Sequence, residues 1–119
     1  IITNKFDIKT VPQNDFRIRL LRYQGEHLEN NLSLAKEFEE YAKSKNTTVS
    51  ALAIAWVISR ADNIIPILGT KKIKYLEENV KVVDLKIIEE DFKQIDNILN
   101  KYTNIGERYS SRENSFLKK

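Results

Sequence analysis

The residues best suited to chemistry in this sequence are four consecutive ones, Gly69, Thr70, Lys71 and Lys72. They follow a short β-branched run, residues 64–68, and precede a helical pattern. A helix N-terminus has unpaired N–H groups and the positive end of the helix dipole, so it suits an anion. Gly69 would let a ligand approach the backbone, Thr70 offers a hydroxyl, and the lysines offer charge. The pattern indicates either a phosphate site or an ordinary strand-to-helix turn with solvated lysines. It is not a Walker A loop, because the upstream glycine is missing.

The other side chains that could take part in catalysis or binding have no recognisable motif partners in the sequence. His27 is the single histidine, and no Ser, Cys or carboxylate stands at a recognisable motif spacing from it. We therefore expect it to be a surface residue. Trp56 lies in an apolar run and is expected in the core. Arg17, Arg19 and Arg22 alternate with apolar residues, and they would form either an anion-binding element or a solvated basic loop.

Composition excludes several classes of protein. The 119 residues include no Cys and one His, so a disulfide scaffold and a thiolate or multi-His metal site are excluded, and we expect no metal. The longest apolar stretch, residues 51–58, is far shorter than the ~20 residues of a membrane span. Net charge is +3 with Lys and Glu interspersed, so no nucleic-acid partner is expected. The sequence favours a cytoplasmic protein. It has no Met and starts at Ile1, so we expect part of a longer chain.

The apolar spacing predicts four helices and one strand. The first helix is capped by Asn30 or Asn31 and ends near residue 45, and the second is capped by Thr47 or Thr48 and ends near residue 60. A strand over residues 64–68 follows. The last two helices cover residues 73–81 and 89–101. Asn46 is predicted to end the first helix in the left-handed conformation. The second helix is apolar on all sides and must be buried in something larger. A lone strand needs partners upstream of Ile1 or in a second copy, and its link to a helix indicates an α/β parent with a parallel sheet.

Three blocks of the sequence, taken together, resemble the C-terminal signature of the aldo-keto reductase family. They are LAIAWV at residues 52–57, IPILGTKK at 65–72 and LEEN at 76–79, and the spacing between them matches as well. The segments YQGE at 23–26 and GERY at 106–109 look like flanking blocks of one bacterial, fungal and plant branch. The resemblance implies a (β/α)₈ barrel that reduces aldehydes or ketones with NADPH. This chain would be its C-terminal portion, mostly helical with one short strand.

The resemblance also implies which residues hold the cofactor. Carried over position by position, they are Gly69, Thr70, Lys71, Lys72, Tyr75, Glu78 and Asn79. The first three would contact the 2′-phosphate with Lys72 adding charge nearby, and the last two would face the adenine. Tyr75 stands where many relatives carry Arg or Gln, and its ring could stack on adenine. Relatives also cap the last helix with Ser or Thr, whereas Ile87 and Ile88 stand here, so that helix must fray or be capped by another group.

The family's catalytic Asp, Tyr, Lys and His come from the first half of the barrel, so the resemblance implies no catalytic residue in this chain. It divides the chain into a loop region at 1–30, the C-terminal helices with the last strand and cofactor-binding helix at 31–103, and a loose polar tail at 104–119. Expected partners are a small carbonyl substrate and the rest of the barrel, or a second copy if the chain is isolated. Two alternatives remain, a non-catalytic cofactor-binding barrel subunit and a small helical interaction module.

Overall fold

The structure, a computed structural model, describes residues 1–3 and 6–109. Within them the α-helices are α1 (Gly25–Ser44), α2 (Val49–Ile58), α3 (Ile73–Val80) and α4 (Glu89–Lys101). Short 3₁₀ turns are Phe16–Arg19, Leu21–Tyr23 and Lys81–Asp84. Helix α1 packs against α2 and α4, and α2 also contacts α3 and the last 3₁₀ turn. No helix in this described part of the chain is long and apolar enough to cross a membrane.

Helix α1 begins about six residues earlier than the sequence predicted and ends as predicted. Its first residue is Gly25, whose poor helix propensity hid the true start. At the other end Asn46 has φ 52°, which confirms the predicted left-handed stop. The N–H of Thr47 donates to the Ala42 carbonyl and that of Asn46 to the Lys43 carbonyl, both at 3.0 Å. These two bonds satisfy carbonyls at the helix end and fix the direction of the following turn.

The core forms where α1, α2 and α4 meet. The Thr48 hydroxyl accepts a hydrogen bond from the Ala51 N–H at 3.1 Å, so the predicted cap of α2 is confirmed. Because α2 is apolar all round, it can bury side chains against two neighbours at once. The buried residues of the main cluster are Phe38, Ala42, Leu52, Ile95 and Ile98. A second cluster is formed by Ala51, Ile54, Ala55 and Val82.

A carboxylate three residues into the helix caps the start of α4. Ile88, at the N-cap position, cannot accept a hydrogen bond through its side chain. Instead the Asp91 carboxylate accepts the Ile88 N–H at 3.1 Å, which satisfies that donor. Asp91 is 4% exposed and also contacts Tyr41 and Lys45. Of the two alternatives, fraying or capping by another group, the structure shows the second, through the N–H of Ile88 itself.

The predicted strand over residues 64–68 was wrong for the chain as described. These residues form no regular element, and no strand occurs within residues 1–3 and 6–109. A strand needs a neighbour to pair its N–H and C=O groups, and Pro66 removes one donor as well. Ile65 and Ile67 are 86% and 98% exposed and lie two apart in sequence. Such large exposed apolar side chains are the ones that a neighbouring element would cover.

A C-terminal strap, residues 102–107, is held against the start of α1 by side-chain hydrogen bonds. The Asn31 amide donates to the carbonyls of Arg22 and Ile105, both at 2.9 Å, and Asn31 is 5% exposed. Arg22 donates to the carbonyls of Gly106 at 3.2 Å and Glu107 at 3.3 Å. Residues 104–107 are therefore held, in contrast to the loose tail predicted from composition. Residues 110–119 of that predicted tail lie outside the described part.

Gly106 gives a test of how firmly the strap depends on close backbone contact. Its φ is +74°, and an added Cβ would lie 2.9 Å from the Arg22 backbone N and 3.0 Å from its Cα. We expect Gly106→Ala to lower the free energy of unfolding by about 1–3 kcal/mol and to speed amide exchange in the strap. Gly69→Ala is the control, because a Cβ there meets no atom within 4 Å. Equal unfolding free energies for the two variants in urea titrations would contradict this role.

Candidate functional site

An open groove of about 1020 Å³ brings together most of the residues singled out from the sequence. Six of the seven implied cofactor residues line it: Gly69, Thr70, Lys71, Tyr75, Glu78 and Asn79. Lys72 is the exception and does not line it. The groove is bounded on one side by the 69–71 loop and α3, and on the other by the end of α1 and the start of α2.

One face of α3 supplies the largest part of the first wall. Tyr75, Glu78 and Asn79 are spaced three and four residues apart, so the helix turns them toward the same side. Tyr75 is 42% exposed, whereas Glu78 and Asn79 are half-buried. Lys74 lies on this wall too, with its Nζ 3.9 Å from a Glu78 carboxylate oxygen. Lys74 was not among the residues predicted for the site, although its four-residue spacing from Glu78 places the two on the same face of the helix.

Thr70 organises the loop that precedes α3. Its Oγ1 lies 3.2 Å from the Lys72 carbonyl oxygen and 3.3 Å from the Lys72 backbone N. These contacts close a tight turn that delivers the chain to the helix start. The Lys72 ammonium lies 5.8 Å from the centre of the Tyr75 ring, so this lysine packs along the ring and not in the groove. Thr70 thus has a structural role besides any contact with a ligand.

Neither the backbone conformation of Gly69 nor contacts with other described residues require a glycine at this position. Its φ lies outside the left-handed region, and a built Cβ meets nothing within 4 Å. Since neither strain nor crowding excludes a side chain here, the space beside its backbone is open to the groove. That space suits a group that must come close to the backbone.

The opposite wall comes from a part of the chain that the sequence analysis did not connect with the site. Glu39 and Lys43 lie in the last two turns of α1, and Thr47 and Ser50 lie around the α1–α2 turn. They stand about twenty or more residues before Gly69, and no local motif links the two regions. The left-handed stop at Asn46 is what folds α2 back and brings this wall beside the loop.

The groove contains more positive than negative side chains, and one lysine is unpaired. Lys43 Nζ lies 2.9 Å from a Glu39 carboxylate oxygen, and Lys74 pairs loosely with Glu78. Among the residues that the structure describes, Lys71 has no ion-pair or hydrogen-bond partner for its ammonium. An ammonium without a counter-ion beside an open backbone is well suited to an incoming anion.

Arg17, Arg22 and His27 each have a partner in the structure, whereas Arg19 is exposed. The Arg17 guanidinium donates to both Asp15 carboxylate oxygens, at 3.0 and 2.7 Å, and its hydrogen bond lowers the pKa of Asp15 to about 2. Arg22 holds the C-terminal strap. His27 is half-buried, and its Nδ1 lies 3.1 Å from the Asn104 carbonyl oxygen. Two of the three arginines therefore have structural partners, and His27 makes a structural contact from its partly exposed position.

Two tyrosines are tied to carboxylates and lie outside the groove. Tyr41 donates to Asp91 at 2.8 Å, and burial together with that hydrogen bond raises the pKa of Tyr41 to about 12. Tyr102 donates to Glu37 at 2.7 Å, and this bond raises its pKa as well. Proton transfer is most efficient when the pKa of the group is near the working pH, so these environments do not suit a proton donor.

The described residues also contain no cluster of three or more His, Asp or Glu side chains placed to hold a metal.

Comparison with known proteins decides the family. The sequence model described as the aldo/keto reductase family matches residues 2–100. The chain belongs to the aldo/keto reductase family. The match includes both walls of the groove and all four helices as far as residue 100.

Individual aldo/keto reductases resemble the chain over most of its length. A Schizosaccharomyces pombe protein named aldo-keto reductase yakc, NADP(+), is 39% identical over 98 residues, which cover 82% of this chain and 29% of that protein. A Glycine max protein named probable aldo-keto reductase 1 is 34% identical over 88 residues, 74% of this chain and 25% of that protein. The chain thus spans between a quarter and a third of the length of these curated relatives. No solved structure matches it.

Proposed function

We propose that this chain is the cofactor-binding end of an NADPH-dependent aldo-keto reductase with a (β/α)₈ barrel, which reduces aldehydes or ketones to alcohols. The observation that carries the proposal is the groove, where six residues implied by the family resemblance meet, the unpaired Lys71 among them. The S. pombe relative, which has NADP(+) in its name, supports the choice of cofactor.

The residues of the groove fit the adenosine half of such a cofactor. The volume of the groove, about 1020 Å³, slightly exceeds the roughly 1,000 Å³ of the largest ordinary ligand pockets, so there is room for this half of the cofactor. Lys71 and Thr70 would hold the 2′-phosphate, with Gly69 giving it room at the backbone. Tyr75 offers a ring face to adenine, and Glu78 and Asn79 offer hydrogen-bonding groups to its edge.

The division of labour follows from what the groove contains. When bound, the cofactor supplies the hydride, and the protein supplies binding, orientation and electrostatics. Lys71 neutralises phosphate charge, while Tyr75, Glu78 and Asn79 orient the base. In this proposal the carbonyl-polarising acid belongs to another part of the parent barrel, because the groove is assigned to the adenosine half of the cofactor and not to the half that carries the hydride.

The proposal is tested by following NADPH consumption by the full-length protein with a panel of small aldehydes and ketones. We expect NADPH to be oxidised with at least one carbonyl compound, and more slowly when NADH replaces it at the same concentration. Binding of NADPH without any turnover would favour the non-catalytic barrel subunit instead. Absence of both binding and turnover would contradict the proposal.

A further inference from the structure

The wall of the groove formed by α1 contains a lysine for which the proposed contacts give no role. Lys43 lies in the last turn of α1 and lines the groove together with Lys71. Its backbone is fixed, because its carbonyl accepts the Asn46 N–H at 3.0 Å in the turn that ends the helix. Its side chain is 70% exposed and has a flexible four-carbon stem, so the ammonium can move although the backbone that carries it is fixed.

The ammonium of Lys43 is held only by a partner that is easily exchanged. Within the part of the chain that the structure describes, its one ion pair is with Glu39, one turn earlier on α1, at 2.9 Å. The lysine end of this pair is exposed and the Glu39 side chain is 30% exposed, and pairs of this spacing near the surface are weak and are screened by salt. A phosphate offers three charged oxygens and a stronger, charge-assisted hydrogen bond. Glu39 also lines the groove, so both members of the pair are present where an anion would enter.

We propose that Lys43 is a specificity-determining residue that leaves Glu39 and contacts the 2′-phosphate of NADPH from the wall opposite Lys71. Glu39 then acts as the counter-charge that holds Lys43 when the groove contains no anion. The inference rests on the proposed function, and it adds a second cation to the residues that the family resemblance implies for the cofactor. It gives the site a second positive charge for a phosphorylated cofactor, whereas the neighbouring Tyr75 offers none.

The chain offers a matched control for this exchange. Lys93 and Glu89 form a pair on α4 with the same spacing and the same 2.9 Å separation, and neither residue lines the groove. Calorimetric titration of the full-length protein with NADPH and with NADH should be performed for the wild type, for the two groove variants Lys43→Gln and Glu39→Gln, and for the two control variants Lys93→Gln and Glu89→Gln. Lys71→Gln is included as the reference for the proposed function.

Opposite signs are expected for the two members of the groove pair. Lys43→Gln should weaken NADPH binding about threefold to tenfold and NADH binding less than about twofold, since only NADPH has the 2′-phosphate. Glu39→Gln should tighten NADPH binding by about twofold, because it releases Lys43 and removes a negative charge. Both control variants should bind NADPH within about twofold of the wild type.

The outcomes separate this inference from the proposed function. If Lys71→Gln weakens NADPH binding while Lys43→Gln does not, the role of Lys43 is overturned and the proposed function stands. The role of Lys43 is also overturned if Lys43→Gln weakens NADPH binding and NADH binding equally, or if the single variant Glu39→Gln binds NADPH more weakly than the wild type. If the wild-type protein fails to bind NADPH, both proposals fall.

Discussion

Replacing Lys71 with Glu is expected to weaken NADPH binding about 100-fold while changing NADH binding less than about threefold. The substitution removes the one groove lysine without a partner in the described residues and puts a carboxylate where the 2′-phosphate is proposed to sit. A lost charge-assisted hydrogen bond costs about 1.5–3 kcal/mol, and like-charge repulsion adds to it. NADH lacks the phosphate, so it escapes both effects. Titration calorimetry of the full-length protein measures the two affinities.

Lys86→Glu provides the control for net charge. Lys86 is exposed, lies between the last 3₁₀ turn and α4, and does not line the groove. The control changes total charge by the same amount, so it reports any long-range effect on an anionic ligand. We expect less than about a twofold change in NADPH affinity. If the two variants lowered NADPH affinity equally, local recognition by Lys71 would be ruled out.

Removing the Asp91 carboxylate is expected to produce the largest loss of stability. The carboxylate accepts hydrogen bonds from the Tyr41 hydroxyl at 2.8 Å and the Ile88 N–H at 3.1 Å, and it pairs with the Lys45 ammonium. Asp91→Ala leaves all three donors without their partner at the junction of α1 and α4. Because the Lys45 side chain is 35% exposed and can reach water, we expect a loss of about 2–3 kcal/mol, less than for a fully buried pair.

The same carboxylate gives stability a defined pH dependence. Burial by itself raises the pKa of Asp91, but the bonds from Lys45, Ile88 and Tyr41 outweigh it and hold the pKa below its ordinary value of 3.8. The unfolded chain therefore takes up this proton at a higher pH than the folded one. The contribution of Asp91 is complete above the unfolded-state pKa and is lost as the pH falls through the lower folded-state value. Urea unfolding of wild type and Asp91→Ala should differ most near neutral pH and converge in acid.

Glu90→Gln is the control that separates the contacts of the Asp91 carboxylate from the general effect of a negative charge at a helix start. Glu90 lies beside Asp91 in the first turn of α4, but its side chain is exposed. It shares the interaction with the helix dipole and lacks the buried contacts, so we expect a change below about 0.5 kcal/mol. A loss from Glu90→Gln as large as that from Asp91→Ala would show that the network contributes little.

Local signals in the sequence were enough to predict the helices. Thr48 at the start of α2 and Asn46 at the end of α1 are capping residues whose side chain or backbone acts within a few positions, and both predictions were confirmed. The start of α1 was missed because its first residue, Gly25, has low helix propensity. The strand prediction failed because residues 64–68 need partners in space, which no local pattern supplies.

The residues of the candidate site likewise fall into those that local spacing predicts and those that only the three-dimensional fold brings to the groove. Tyr75, Glu78 and Asn79 are brought to one face by helical spacing, which the sequence determines directly. Lys43 and Glu39 reach the groove only because the α1–α2 turn reverses the chain, and that long-range geometry has no local signature. Lys72 was grouped with Lys71 by adjacency, but successive side chains diverge, and Lys72 packs along the Tyr75 ring instead. The use of the groove for NADPH stays a prediction.

A crystal structure of the full-length protein with NADP⁺ tests the central claim most directly. The account predicts that the 2′-phosphate lies within about 3.2 Å of the Lys71 ammonium, beside Gly69, with the adenine against Tyr75 between the two walls of the groove. Adenosine electron density elsewhere in the protein, with Lys71 still free of contacts, would contradict the account.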